Sequence, residues 1–423
     1  MSSSSKPTVI IVGAGLGGLT LAQSLRTAGI PYRLFERDSS EASRQQGWSL
    51  LLHECLPALR KIAPPSAPPI ECISVTYQTP YEDHFHMFNG HTKEVYLSFE
   101  GPVFADAANK RDAYSISASR SKFRAWLTHN LEVNWDHAFK GYEVLPSGRV
   151  KAYFENGVEV EGDILVGADG SQSKVRSQLF AGNPAGNALN RLPHACVAGL
   201  VHLPRDKYLP HMKYGPSLYT TDGVGLRVFI GLRTFSPDMS TATLVWLLFW
   251  VEKQDKKEPP AKGETEKPTL TTLHMATPAE LLAYAKQATA DLHADFREIF
   301  EETKVEDMLG SLVLYDREPM HCPAGPITII GDAMHVMSPF RGEGGNAALT
   351  DAFELSEAIV NLSSSTITPE AINTTLRTYE EKMIPRGTDM VVSSRNAGKE
   401  FGTRGVTEKL FNRAELGELV QKH

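Results

Sequence analysis

The sequence predicts an α/β protein of two domains, in which a parallel-sheet domain is assembled from separated parts of the chain and an antiparallel, β-rich domain is inserted between them. Two observations predict it. Apolar strand, glycine turn and helix follow one another at 7–38, at 162–176 and again at 326–362. Between these segments the pattern changes to period-two alternation, as in EVYLSFEGPVF within 71–115 and TATLVWLLFWVE at the end of 190–250.

The first segment, PTVIIVGAGLGGLTLAQSLRTAGIPYRLFERD, has a β-branched strand, three spaced glycines, a helical stretch and a second strand that ends at Glu36. This is a Rossmann-like βαβ unit. Gly13 permits the tight turn, Gly15 lets the backbone approach a pyrophosphate, and Gly18 lets the helix pack on the strand. Glu36 stands where an acid accepts hydrogen bonds from an adenosine ribose.

The alternating stretches follow, and between them residues 252–269, EKQDKKEPPAKGETEKPT, carry charge and proline without apolar periodicity and read as a loop. A helix then starts at TPAE, with Thr277 as N-cap, Pro278 in the first turn and Glu280 three residues after the cap. The segment to about residue 300 reads as helical. PITIIGD returns as a buried strand, and in AALTDAFELSEAIVNL the positions Leu349, Ala352, Phe353, Ser356, Ile359 and Val360 recur at helical spacing. The second glycine turn, GDAMHVMSPFRGEGGN, therefore joins a strand to a helix N-terminus, whose unpaired N–H groups and partial positive charge suit a planar or anionic ligand edge above Gly344 and Gly345. Asp332 stands at the carboxyl end of its strand, where open α/β sheets bind ligands. GDILVGADGSQSKVR adds a third such turn, at Asp169–Gly170. Three turns exceed the needs of one NAD and suit an extended cofactor such as FAD.

Composition agrees with small-molecule chemistry. The chain has 423 residues, is 41% hydrophobic and 22% charged, and carries a net charge of −7 without a basic block, which argues against nucleic acid. Cys55, Cys72, Cys196 and Cys322 form no CxxC pair, so neither a metal site nor a disulfide framework is suggested, and reduced thiols in the cytoplasm are expected. The longest apolar run, LVWLLFW at 244–250, is too short to cross a bilayer.

The three motifs in this order resemble those of FAD-dependent monooxygenases of the p-hydroxybenzoate hydroxylase type, in the salicylate-hydroxylase-like branch, over most of the chain to about residue 400. The resemblance implies a glutathione-reductase-like FAD-binding domain at 1–70, 113–190 and 318–400, a substrate domain at 71–112 and 191–317, and a tail at 401–423. It implies that Glu36 holds the adenosine ribose, Asp332 the ribityl chain, and the amides of Gly345 and Asn346 the flavin pyrimidine edge. Arg120 in SRSKFRAWL and Arg44 match cofactor-contacting arginines, and Leu16, Arg37, Gly47, Gly331, Pro339, Gly342 and Gly344 fall along the same cofactor. Asp169 is either a further cofactor contact or a helix cap. Glu343 departs from the pattern: it either caps the helix or weakens its attraction for an anionic flavin.

The resemblance further implies a single-component enzyme that takes electrons from NAD(P)H and, through a flavin C4a-hydroperoxide, hydroxylates or epoxidises an aromatic or heteroaromatic small molecule with O2, in secondary metabolism. Met337 and Phe340 provide a dry wall for it. Candidate pocket residues are Trp48, Tyr219, Phe229 and Trp246. Arg227 is the candidate for holding a substrate phenolate or carboxylate, and strand alternation gives it and Phe229 one environment. His335 reads either as a general base or as structural. A monomer or homodimer is expected. The rivals are a non-oxygenating flavin oxidase or reductase, and a non-enzymatic carrier of the Rab GDP-dissociation-inhibitor type.

Overall fold

A computed structural model describes residues 6–43, 49–77, 79–81, 84–99, 104–106, 111–113, 115–223, 225–251, 273–363 and 366–399. The expectations for Arg44, Gly47, Trp48, the 252–269 loop and the 401–423 tail lie outside these residues. The chain forms two compact units, one of Met1–Ser74, Phe104–Asn190 and Tyr315–Arg395, the other of Val75–Val103, Arg191–Leu314 and, among the described residues beyond them, 396–399.

The first unit is built on a five-stranded sheet in the order Ile327–Ile329, Ile164–Gly167, Val9–Val12, Tyr32–Phe35, Val133–Asn134. Every pairing in it is parallel. Its central strands are apolar and buried throughout, as expected of a sheet covered on both faces. The helices Leu16–Ala28 and Gly344–Leu362 meet at Gly17, where a β-carbon would come within 3.3 Å of the Ala348 carbonyl oxygen. A smaller antiparallel sheet, Phe139–Val144, Val150–Phe154 and Glu159–Gly162, belongs to the same unit. The long helix Pro369–Lys399, which contains Pro385, was not singled out in the sequence.

The second unit carries a seven-stranded sheet. Its long strands Asn190–Pro204, Leu226–Phe235 and Thr241–Val251 pair antiparallel, while Leu218–Gly223 and Phe85–Asn89, far apart in the chain, pair parallel. One face packs into a core with residues of the helices Arg205–Tyr214, Pro278–Ala288 and Ala294–Glu302. That face carries Tyr219, Leu226, Val228, Ile230, Leu232, Leu244, Trp246, Leu248 and Trp250. The capping box at Thr277 and Glu280 forms as the sequence predicts.

Candidate FAD site

In the first glycine turn, Gly13 has φ +106°, and a β-carbon there would stand 2.4 Å from the Ala168 oxygen. At Gly18 a β-carbon would stand 2.0 Å from the Gly13 oxygen, so this glycine is required by the fold itself. Gly15 differs: its nearest neighbour would be 4.0 Å away, and the residue is exposed, which leaves room for a ligand over the turn. Leu16 beside it is half-buried.

Glu36 follows the second strand and is buried, at 7% exposure. Its Oε2 accepts the Ala14 N–H at 2.7 Å and its Oε1 accepts the Asp38 N–H at 3.1 Å, so the acid ties the glycine turn to the end of the strand. Arg124, which the sequence reading passed over, completes this corner. Its guanidinium donates to the Ala14 carbonyl at 3.2 Å and the Glu41 carbonyl at 3.1 Å, and stands 4.0 Å from Glu36 and 3.8 Å from Asp38. The signal was available, since Arg124 lies four residues after Arg120 on the same helical face. Arg37 is exposed.

Arg120 opens the helix Arg120–Thr128 and is half-buried, with an Nε that finds no partner. Burial lowers its pKa below the usual arginine range, while the nearby Asp332 carboxylate opposes the shift. Asp332 combines an accessible side chain with deep enclosure by protein, the condition of a group that lines a cleft. Enclosure raises its pKa; His335 and Arg120 counter this, and Asp351 adds to it. A β-carbon on Gly344 would stand 4.0 Å from Asp332 Oδ1 and 3.6 Å from Met337 Cγ, so the acid, the half-buried Met337 and the start of the Gly344–Leu362 helix are neighbours.

Among the described residues, no side chain caps that helix. Glu343 turns instead toward His53, 3.8 Å away, which decides against its capping role. The Asn346 side chain donates to the Leu51 carbonyl at 2.8 Å and accepts from the Cys55 thiol at 3.4 Å, which fixes it against the Leu50–Leu52 strand. Gly331 and Gly342 have φ of +58° and +70°, a region glycine enters at little cost. Pro339 begins a short 3-10 turn with Phe340, which is buried.

The structure narrows the expectations for Asp169 and His335 and overturns those for Tyr219, Trp246 and Arg227. Asp169 takes a capping role beside Ser173, the N-cap of the Lys174–Leu179 helix: one carboxylate oxygen accepts the Ser173 hydroxyl at 2.5 Å and the other accepts the N–H groups of Lys174 and Val175 at 2.8 and 3.2 Å. His335 is fully buried and bonded to Asp351, away from any access that a general base needs. Tyr219 and Trp246, both expected in the pocket, lie on the core face of the second sheet. Tyr219 bonds His211 at 2.6 Å, and Trp246 donates to Thr303 at 2.9 Å and packs on Gly199.

Arg227 and Phe229 do share a face, the one opposite that core, together with Thr220, Leu247 and Phe249. Arg227 is 3% exposed, however, and its guanidinium is held in two bonds by Asp222, at 2.6 and 2.7 Å. Its charge is already matched across the strand pair, which removes the reason to assign it a substrate anion. The sequence quoted Arg176 without giving it a task. It donates to the carbonyls of Ala333 at 3.1 Å and Ser171 at 2.7 Å, joining the GADGS turn to the GDAMH turn.

These features form the corner, cleft and helix terminus that a dinucleotide with a planar head requires, and known proteins agree. The family model described as FAD binding domain matches residues 6–53 and 285–394. The FAD-dependent monooxygenase thnD of Trichoderma harzianum is 32% identical over 392 residues, covering 92% of each chain. The FAD-dependent monooxygenase dbaB of Emericella nidulans is 28% identical over 367 residues, covering 83% of this chain and 86% of its own. The structure of 2,6-dihydroxypyridine-3-hydroxylase from Arthrobacter nicotinovorans shares the fold, with a TM-score of 0.72 at 17% identity over 96% of this chain and 95% of that one.

The chain belongs to the FAD-dependent monooxygenases. It is an oxidoreductase of that class, which sets aside the carrier reading.

Proposed function

We propose that the protein takes electrons from NAD(P)H and inserts one atom of O2 into an aromatic or heteroaromatic small molecule of secondary metabolism, by hydroxylation or epoxidation. The observation that carries this reading is the cleft at Asp332, an accessible carboxylate enclosed by protein beside Arg120 and the uncapped helix at Gly344. Bound FAD supplies electron storage and the activation of dioxygen.

The chain's own part is binding, orientation and exclusion of water. Glu36 offers its carboxylate to the ribose, Gly15 opens the backbone to the pyrophosphate, and Asp332 accepts from the ribityl hydroxyls. The amides of Gly345 and Asn346, at a helix N-terminus, favour negative charge on the flavin edge. Met337 and Phe340 keep water from the reacting end. On the second unit, Phe229 and Phe249 meet edge to face at 5.4 Å on the sheet face opposite the core, and the half-buried Phe229 is the ring of that pair left for an aromatic substrate to meet. None of the described helices is long and apolar enough to cross a membrane, and all four cysteines are free; a cytoplasmic location and a monomeric or homodimeric state are part of the same proposal.

The test is turnover of FAD-loaded protein under 18O2 with NADH or NADPH and a panel of phenols and heteroaromatics. One labelled oxygen in the product, matched to reductant consumed, is expected. Consumption of reductant with all oxygen recovered as hydrogen peroxide, for every ligand, would mean an oxidase.

A further inference from the structure

Behind the cleft lies a buried ionic group that the proposed chemistry does not use. Asp351, on the Gly344–Leu362 helix, is 0% exposed. Its Oδ2 accepts both the Gly331 N–H at 2.8 Å and His335 Nε2 at 2.6 Å, and its Oδ1 accepts from Arg386 at 3.0 Å. Arg386, on the Pro369–Lys399 helix, also donates to Glu354 at 2.6 Å. Gly387, next along that helix, packs on the imidazole, since a β-carbon there would stand 3.2 Å from His335 Cδ2. Two helices thus converge on the turn from Gly331 to His335, and Asp332 is the only member of that turn with an accessible side chain among residues 331–335.

An unpaired buried carboxylate is costly, so Asp351 needs positive partners, and it has them in His335 and Arg386. The Gly331 N–H bond fixes the residue before Asp332, at a φ of +58°. The same imidazole reaches Asp332 electrostatically, and with Arg120 it provides the positive charge that offsets Asp351 near the cleft acid.

We propose that His335 and Asp351 are positioning residues for FAD: they hold the Gly331–His335 turn so that Asp332 is presented to the cleft as a charged acceptor, without themselves touching the cofactor. This rests on the FAD site proposed above. An acceptor that is ionised binds hydroxyl groups more strongly than its neutral form, so loss of the His335 charge weakens binding through Asp332.

The experiment is a double-mutant cycle of His335→Gln and Asp332→Asn, read by fluorescence titration of apoprotein with FAD, with thermal melts of each apoprotein alongside. His335→Gln alone is expected to weaken FAD binding at least tenfold, and to have no further effect in the Asp332→Asn background. Parent-like FAD affinity in His335→Gln overturns the proposal, and so do losses that simply multiply in the double variant, because the imidazole then acts independently of Asp332. If Asp332→Asn alone leaves FAD affinity unchanged, the site assignment itself has failed, which is a separate outcome. Should His335→Gln not melt cooperatively, His335→Asn replaces it, since its shorter amide also removes the imidazole while leaving Asp351 in place. Failure of both to fold would make the imidazole a requirement of the fold and likewise overturn the proposal.

Discussion

Replacement of Glu36 by alanine separates the role that the structure shows for this side chain, in the glycine turn, from the one proposed for it toward the cofactor. In the parent its Oε2 accepts the Ala14 N–H at 2.7 Å, in a buried turn. Without an acceptor, that buried donor costs about 1 to 3 kcal/mol. Arg124 keeps Asp38 at 3.8 Å as a carboxylate neighbour, so its charge adds little to the loss. The apoprotein should therefore unfold more easily by about 1 to 3 kcal/mol in denaturant titrations. Under the proposed ribose contact, FAD binding should lose a charge-assisted hydrogen bond, about 1.5 to 3 kcal/mol, which is roughly a tenfold to hundredfold weakening in equilibrium dialysis. Glu36→Gln retains an oxygen for Ala14 and should restore most of the apoprotein stability while recovering only part of the FAD affinity. Unchanged FAD retention in Glu36→Ala would refute the ribose assignment. Unchanged apoprotein stability would refute the argument from the Ala14 bond.

Three further outcomes are expected. Gly345→Val brings a branched side chain against Leu50, whose Cδ1 would already lie 3.3 Å from a β-carbon there; the flexible leucine yields, so the protein should purify folded and colourless, and a yellow variant with a normal flavin spectrum would contradict the placement. Arg227→Met leaves Asp222 without its guanidinium, so the second unit should lose roughly 1 to 3 kcal/mol of stability with FAD content unchanged, and a variant as stable as the parent would show the pair to be energetically idle. Burial lowers the pKa of His211 to about 4. A histidine depressed in the folded state resists protonation there, so stability should fall as the pH drops from its unfolded value of about 6.5 toward 4. His211→Gln should flatten that decline in pH-dependent melts, and an identical slope would rule the imidazole out.

The legible part of this protein is what short-range physics dictates. Gly13 is favoured by its local φ of +106°, Gly18 is forced by the Gly13 carbonyl within the same βαβ unit, and the Thr277 capping box closes between residues three apart. The dinucleotide unit, the second strand–turn–helix and the helical period of 344–362 all follow from such local rules, and so the fold class and cofactor chemistry were readable. Alternation also told correctly that Arg227 and Phe229 share a face.

Alternation could not tell which face of that sheet meets the core, because this depends on where the helices Arg205–Tyr214, Pro278–Ala288 and Ala294–Glu302 pack. For that reason Tyr219 and Trp246 were misplaced. Nor could the sequence show that Arg227 would pair with Asp222, or which distant backbone groups Arg124 would reach. Those pairings are set by the register of strands and by segments that lie far apart in the chain, as Arg124 and Ala14 do. The same holds for His335: its residue type invites proton chemistry, and only the tertiary packing of two helices around Asp351 excludes solvent and makes it a buried partner of that carboxylate. Local sterics and hydrogen bonds determine which elements form. Burial and charge pairing, which require the whole fold, decide what their side chains can do.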